Sequence, residues 1–287
     1  MLADKYFQRL GFTPEQAKVI SSKHCKDHLD QIVEANLRKI TFDNLSQHGL
    51  PLTASIDVHQ TATKILDHGR GGFCFELNGL LAAFLEELGY TVQRLPAIVH
   101  SDERKFNHPP SHVILVVSTT SDPDEKWFAD VGFGEPAIHS LRYELDTEQT
   151  TPEGMTSRIV QDEGNVVNLE WKKDGEWLPR LKWDFEHPGQ PLEAFQSGLD
   201  IVLDESSIFH KKLIVCRIDR NEKVSLAGSR LKRTSPRFGP DATVTVQDLE
   251  TTEAAQKALK EVFRVPNPQD LDLERSKQAA PKVWSTM

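Results

Sequence analysis

The sequence is short of cysteine, with three in 287 residues. Cys25, Cys74 and Cys216 are odd in number, widely spaced and include no Cys-x-x-Cys pair, which argues against a disulfide framework or a zinc cage and points to the reducing cytosol. Long apolar runs are missing as well. The longest, residues 80–85, falls far below the roughly 20 residues that a helix needs to cross a bilayer, and the opening stretch MLADKYFQRL carries charge where a signal peptide needs apolar residues. Export and membrane insertion are therefore disfavoured. Positive charge is in deficit: 34 Lys and Arg face 43 Asp and Glu, for a net charge of −9, so general binding to nucleic acid has no electrostatic basis. Gly69, Gly71 and Gly72 lack the Walker spacing and its Lys-Ser/Thr, which removes the phosphate-binding loop. No internal repeat or low-complexity segment occurs.

What is present is a globular composition, 38% hydrophobic and 27% charged, long enough for one or two domains. The first ninety residues carry helix signals. Thr13-Pro14-Glu15-Gln16 combines a capping Thr, Pro at the first helical position and Gln at the third. Leu29, Ile32, Val33, Leu37 and Ile40 recur at helical spacing after Asp27, and a weaker helix follows Asp57. Leu77, Leu80, Leu81, Phe84, Leu85 and Leu88 form the clearest stripe, closed by Gly89. Beyond it the period changes to that of strands, at 91–99, 112–118, 126–131, 157–161, 166–171 and 176–185, with Asp174-Gly175 as a hairpin signal between the last two. A Pro/Gly/Gln stretch at 187–191 reads as a boundary. It precedes strands at 212–218, 224–231 and 242–246, a helix at 253–263 and a polar tail from Pro266 that reads as partly loose.

The segment Arg70-Gly71-Gly72-Phe73-Cys74-Phe75-Glu76-Leu77-Asn78 carries the most chemical information. Two glycines permit a sharp turn, and the thiol then sits at the amino end of a helix, where free N–H groups and the macrodipole favour the thiolate. Cys25 and Cys216 have no such setting and read as inert thiols. A thiolate nucleophile works with an imidazole, and the imidazole with a group that holds its other nitrogen. Of eleven histidines, His112 opens an apolar strand, and Asp130 lies in the next. A hairpin centred on residue 121 sets the two directly opposite, on one face, with Cβ atoms about 4.5 to 5.5 Å apart. The alternative is a hydrogen-bonded core histidine and a turn acid before Gly132; the register favours catalysis. His24, Cys25 and His28 read as a solvated helix face rather than metal ligands. Lys211, Lys212, Arg217, Arg220, Lys223, Arg230, Lys232 and Arg233 form the one basic concentration, either a solvated strand face or a landing surface for phosphates.

Arg70 to Asn78, with Ile40-Thr41-Phe42-Asp43-Asn44-Leu45 upstream and Phe128-Ala129-Asp130-Val131-Gly132-Phe133-Gly134 downstream, resembles the arylamine N-acetyltransferases. Thr41, Asp43 and Ser111 stand where that family commonly has Pro, Glu and Thr. The resemblance implies an α+β fold: an N-terminal helical bundle (1–90), a central antiparallel β-barrel-like domain (91–190) and a C-terminal α/β lid (191–287). A papain-like Cys-His-Asp arrangement is implied where the first two meet, with Cys74 as acyl-accepting nucleophile, His112 as base and Asp130 as its orienting acid. It further implies transfer of an acyl group, acetyl by default and propionyl or malonyl as related donors, from acyl-coenzyme A to an aromatic amine, hydrazine or hydroxylamine by a ping-pong route in the cytoplasm, as in xenobiotic metabolism. Acetyl-coenzyme A is then a co-substrate, with no bound cofactor, metal, nucleic acid or membrane. Ser111, Lys211 and Lys212 are candidates for coenzyme A contact, and Phe73, Phe75 and Phe133 for the acceptor pocket. A transglutaminase-like or peptidase-like cysteine hydrolase shares the Cys, His, Asp order, and a binding module without catalysis is the third class. Release of free coenzyme A from an acyl-coenzyme A discriminates against the hydrolase.

Overall fold

Besides α1 (Leu2–Leu10), where none of the helix signals lies, helices form where those signals lie, at α2 (Pro14–Ser22), α3 (Lys26–Lys39), α4 (Val58–Ala62) and α5 (Cys74–Leu88). The structure, a computed structural model, describes residues 1–100, 110–119 and 121–271. Thr13 Oγ1 accepts from Gln16 N at 3.2 Å and Gln16 Oε1 accepts from Thr13 N at 2.9 Å, so the expected reciprocal cap opens α2. Leu29, Ile32, Val33 and Leu37 of α3 are buried, and Gly89 ends α5 with φ of 103°. Nearly every side of α5 is covered, because it lies between the other helices and the strands that follow. Tyr6 of α1 stacks on Phe84 of α5 with ring centres 4.3 Å apart.

After the two-residue β1 (Phe42–Asp43) come β2 (Tyr90–Val99), β3 (His112–Thr119), β4 (Trp127–Ala129), β5 (Leu141–Arg142), β6 (Gln149–Thr150), β7 (Thr156–Gln161), β8 (Val166–Lys173) and β9 (Glu176–Asp184). They form one antiparallel sheet in the order β5-β4-β3-β2-β9-β8-β7-β6. Its two ends approach through Gln149, whose side-chain amide accepts from Arg142 N at 2.6 Å and donates to Arg142 O at 3.0 Å. That contact gives the sheet its barrel-like closure. Asp174 and Gly175 both have positive φ, 52° and 87°, the type I′ pattern expected from the pair.

The last third adds α6 (Gln196–Leu203), α7 (Ile208–Lys211), β10 (Ile214–Ile218), β11 (Lys223–Ala227), β12 (Arg230–Ser235), β13 (Thr243–Asp248) and α8 (Thr252–Glu261). Its sheet runs β1-β10-β11-β12-β13, so an edge strand from the helical portion is built into it. The single strand expected at 224–231 is instead a hairpin: Ala227 pairs with Arg230 across Gly228-Ser229, and Gly228 takes a φ of 63°. A glycine first in a two-residue turn is the type II′ signature, and it was hidden inside an apolar run. The tail beyond Leu271 lies outside the described residues.

A second correction concerns β3 and β4. Leu115 faces Ala129, Val116 faces Phe128 and Val117 faces Trp127, which centres the hairpin one residue later than expected. His112 and Asp130 are therefore diagonal rather than directly opposed. They keep a common face, because moving the centre by one residue shifts the pairing by two, and side chains alternate with period two.

The chain after β4 lies against the start of α5 with no room to spare. A Cβ on Gly132 would sit 2.6 Å from Cys74 Cα and 2.9 Å from Cys74 Cβ. Neither neighbour is a flexible tip, so Gly132→Ala forces the helix and the loop apart. It should destabilise the protein by about 1–3 kcal/mol, the usual cost of overpacking, read as a lower urea midpoint at unchanged slope.

Candidate active site

Gly71 and Gly72 matter for close approach rather than for a left-handed turn. A Cβ on Gly71 would fall 2.1 Å from Thr41 O, and one on Gly72 would fall 2.5 Å from Glu76 Oε2. The two residues thread between β1 and the first turn of α5, with Asp43 N donating to Gly72 O at 3.0 Å. Glu76 accepts from Phe73 N at 3.1 Å and is itself held by the buried Lys64 at 2.9 and 3.0 Å. Burial raises the Glu76 pKa, and the Lys64 ammonium works against that rise. These contacts fix Cys74 as the first residue of α5, 6% exposed, beside amides that have no partner inside the helix.

His112 opens β3 and Asp130 follows β4, both buried. His112 Nε2 lies 2.7 Å from Asp130 Oδ2. The other carboxylate oxygen, Oδ1, accepts from Gly132 N and from Asn78 Nδ2, each at 2.8 Å. Asn78 stands one turn after Cys74 on α5, donates to Val113 O at 2.7 Å and accepts from Val131 N at 2.9 Å. The Cys74 side chain lies close enough to the imidazole to act on its charge. Burial works against its positive charge, but Asp130 and then Cys74 outweigh that and raise the His112 pKa from 6.5 to about 10. Sulfur, imidazole and carboxylate are thus in sequence, with the imidazole cationic at neutral pH.

All this faces a cavity of about 660 Å³. Phe73, Phe133, Ser111 and Lys212 line it. Phe42 and Phe209, which carried no such assignment, join Phe73 in an edge-to-face triangle with centres 5.3 to 6.4 Å apart. Phe75 is off the wall. One residue past Cys74 it is turned about 100° around the helix, and its ring packs on Phe195 at 6.1 Å. Lys211 is also off the wall, its Nζ donating to Ser206 O at 2.8 Å. The basic concentration is mostly neutralised: Arg220 pairs with Glu34, Lys223 with Glu135, Arg230 with Asp248, and Arg217 and Arg233 with Glu222. Ser111 Oγ accepts from Val99 N at 3.1 Å, and its carbonyl accepts a weak bond from Cys74 Sγ at 3.8 Å.

A family model described as N-acetyltransferase matches residues 27–271. The arylamine N-acetyltransferase of Mycolicibacterium smegmatis is 32% identical over 234 residues, covering 79% of this chain and 80% of that one. The chain belongs to the arylamine N-acetyltransferase family. The arylamine N-acetyltransferase / N-hydroxyarylamine O-acetyltransferase of Salmonella typhimurium is 35% identical over 146 residues, and that match spans 50% of each chain. The solved arylamine N-acetyltransferase of Mycobacterium marinum in complex with CoA has the same fold, with a TM-score of 0.81 at 23% identity over 95% of this chain and 96% of that one.

Within this family member, Asn78 is a further site residue to which sequence reasoning gave no role. Its one signal is the spacing of four residues from Cys74, which sets both on one helix face.

The raised His112 pKa has a defined sign. The folded state holds the proton more tightly than the unfolded chain, so the pair stabilises fully below about pH 6.5 and loses its contribution as pH rises through about 10. Histidine NMR should find His112 still protonated at about pH 8. In Asp130→Asn its pKa should fall sharply, since burial then acts with less opposition. The stability gap between wild type and Asp130→Asn should be widest near pH 6.5 and narrow towards pH 10.

Proposed function

We propose that this protein transfers an acyl group, acetyl by default, from acyl-coenzyme A to an aromatic amine, hydrazine or hydroxylamine through an acyl-Cys74 intermediate. The observation that carries the reading is the His112 imidazole held between Asp130 at 2.7 Å and the Cys74 side chain, at the edge of a cavity. In the first half-reaction Cys74 Sγ, its proton held by His112, attacks the thioester carbon, and the first amides of α5 stabilise the oxyanion. The carbon–sulfur bond to coenzyme A breaks, and His112 gives its proton to the departing thiolate. In the second, the amine nitrogen attacks acyl-Cys74, and neutral His112 takes the amine proton as the cysteine thiolate leaves. Asp130 and Asn78 hold the ring and the carboxylate in place throughout.

The walls suit a flat acceptor: Phe42, Phe73, Phe133 and Phe209 present aromatic surface. An arylamine is neutral at pH 7, whereas a lysine-type ammonium, with a pKa of about 10.4, would have to shed its proton and hydration on entry. For the donor, Lys212 and Ser111 are the cavity residues offered to coenzyme A, and residues 191–271 serve as the lid that completes the wall. The three free thiols agree with work in the cytoplasm.

Intact mass after mixing with acetyl-coenzyme A should show the gain of one acetyl group, located on Cys74 by peptide mapping and discharged by an arylamine chase. Cys74→Ala should show no gain. Double-reciprocal plots at several acceptor concentrations should be parallel; cleavage of a peptide amide with no release of coenzyme A from the acyl donor would move the protein to the hydrolase class.

A further inference from the structure

The cavity wall beyond Phe133 holds more positive charge than its carboxylates neutralise. Lys223 on that wall pairs with Glu135 at 2.9 Å, and Arg237, off the wall, lies 3.7 Å from Glu153. Arg180, on β9, is the other cation beyond Phe133. Among the described residues its side chain makes no ion pair or hydrogen bond, and its Nε is buried without a partner. Its guanidinium lies over two rings, 4.3 Å from the centre of Trp171 and 5.4 Å from that of Phe133. Phe133 is in turn 5.7 Å from the His112 ring, so the guanidinium stands at most 11.1 Å from that imidazole, on the wall of the same cavity. Burial works against its charge and Glu135 only partly offsets this, yet arginine stays ionised at neutral pH.

A planar fork lying over aromatic faces, partly stripped of water and engaged in no ion pair among the described residues, is built to receive a carboxylate in two-pronged fashion. The coenzyme A phosphates match it less well, because the pantetheine arm holds them far from the thioester carbon that must reach Cys74. We propose that Arg180 binds a carboxylate carried by the substrate in this cavity and makes the protein select substrates that have one. The inference rests on the acyl-transfer reading above. The carboxylate has two sources, the far end of a dicarboxylic acyl group on the donor or a ring substituent on the aromatic acceptor.

Three measurements separate the possibilities, each on wild type, Arg180→Gln and Arg180→Lys after unfolding midpoints confirm that the variants fold. The first compares the rate of Cys74 acylation by malonyl- and succinyl-coenzyme A with that by butyryl-coenzyme A. The second compares discharge of acetyl-Cys74 by 4-aminobenzoate and by 4-methylaniline. In one of these arms the ratio of carboxylate-bearing to neutral substrate should fall about 10- to 100-fold in Arg180→Gln, the worth of hydrogen bonds to a charge, and Arg180→Lys should keep part of it. The arm affected identifies the source. The third needs no catalysis: calorimetry should show benzoate binding more tightly than benzyl alcohol to wild type and losing that advantage in Arg180→Gln. Ratios unchanged in both kinetic arms, with equal benzoate binding by wild type and Arg180→Gln, would overturn the proposal. Failure of wild type to take any acyl group on Cys74 would instead overturn the acyl-transfer reading, while benzoate binding still decides the role of Arg180. Should Arg180→Gln not fold, Arg180→Lys decides in its place: it should lose part of each preference, and preferences equal to wild type would overturn the anchor.

Discussion

One buried amide ties the two halves of the site together. Asn78 sits on the same helix as Cys74, and its side chain reaches Val113 O on β3 together with Asp130 Oδ1 and Val131 N just after β4. A buried amide costs free energy wherever a hydrogen bond is missing, so these three partners together specify one docking of the helix on the hairpin. That docking brings Gly132 against Cys74, leaves Asp130 Oδ2 free for His112, and turns Phe133 towards the cavity. A change in the angle of α5 would disturb the sulfur, the ring and the wall at once.

The second constraint is the handling of charge away from water. Glu76 under the helix start is matched by Lys64, Asp130 by His112, and Glu135 by Lys223, each pair within 3.0 Å. Such pairs gain little over apolar packing, but removing one partner strands the other, so each pair resists rearrangement. Against that pattern Arg180 stands apart, since its guanidinium lies over aromatic faces and enters no ion pair among the described residues. The aromatic surface thus has two uses: it forms an apolar wall, and it holds a cation without neutralising it.

Much of the site was legible because its signals are local. The turn, the helix start and the sulfur lie within the few residues from Arg70 to Asn78, and caps, glycines and periodicity act over that range. His112 and Asp130 could be paired from sequence because a hairpin joins them, and their common face survived an error of one residue in its centre. Phe75 was misplaced because adjacency to Cys74 in sequence becomes a turn of about 100° around a helix. The glycines were recognised, but the reason for them was not: β1 and Glu76 press on Gly71 and Gly72, and that contact cannot be read from turn propensity.

The sequence by itself determined the α+β order of elements, the helix-borne thiol and the histidine and acid that meet it, because each depends on short-range geometry. Tertiary structure alone decided which charges are spent and which are available. Arg220 is taken by Glu34 and Lys223 by Glu135, partners remote in the chain, so a run that looks basic on paper is largely neutral in space. Arg180 carried no signal of its own; it became notable only when folding set it between Phe133 and Trp171, on the cavity wall. Charge pairing and cavity walls join residues far apart in sequence, and no local propensity encodes which of them will meet.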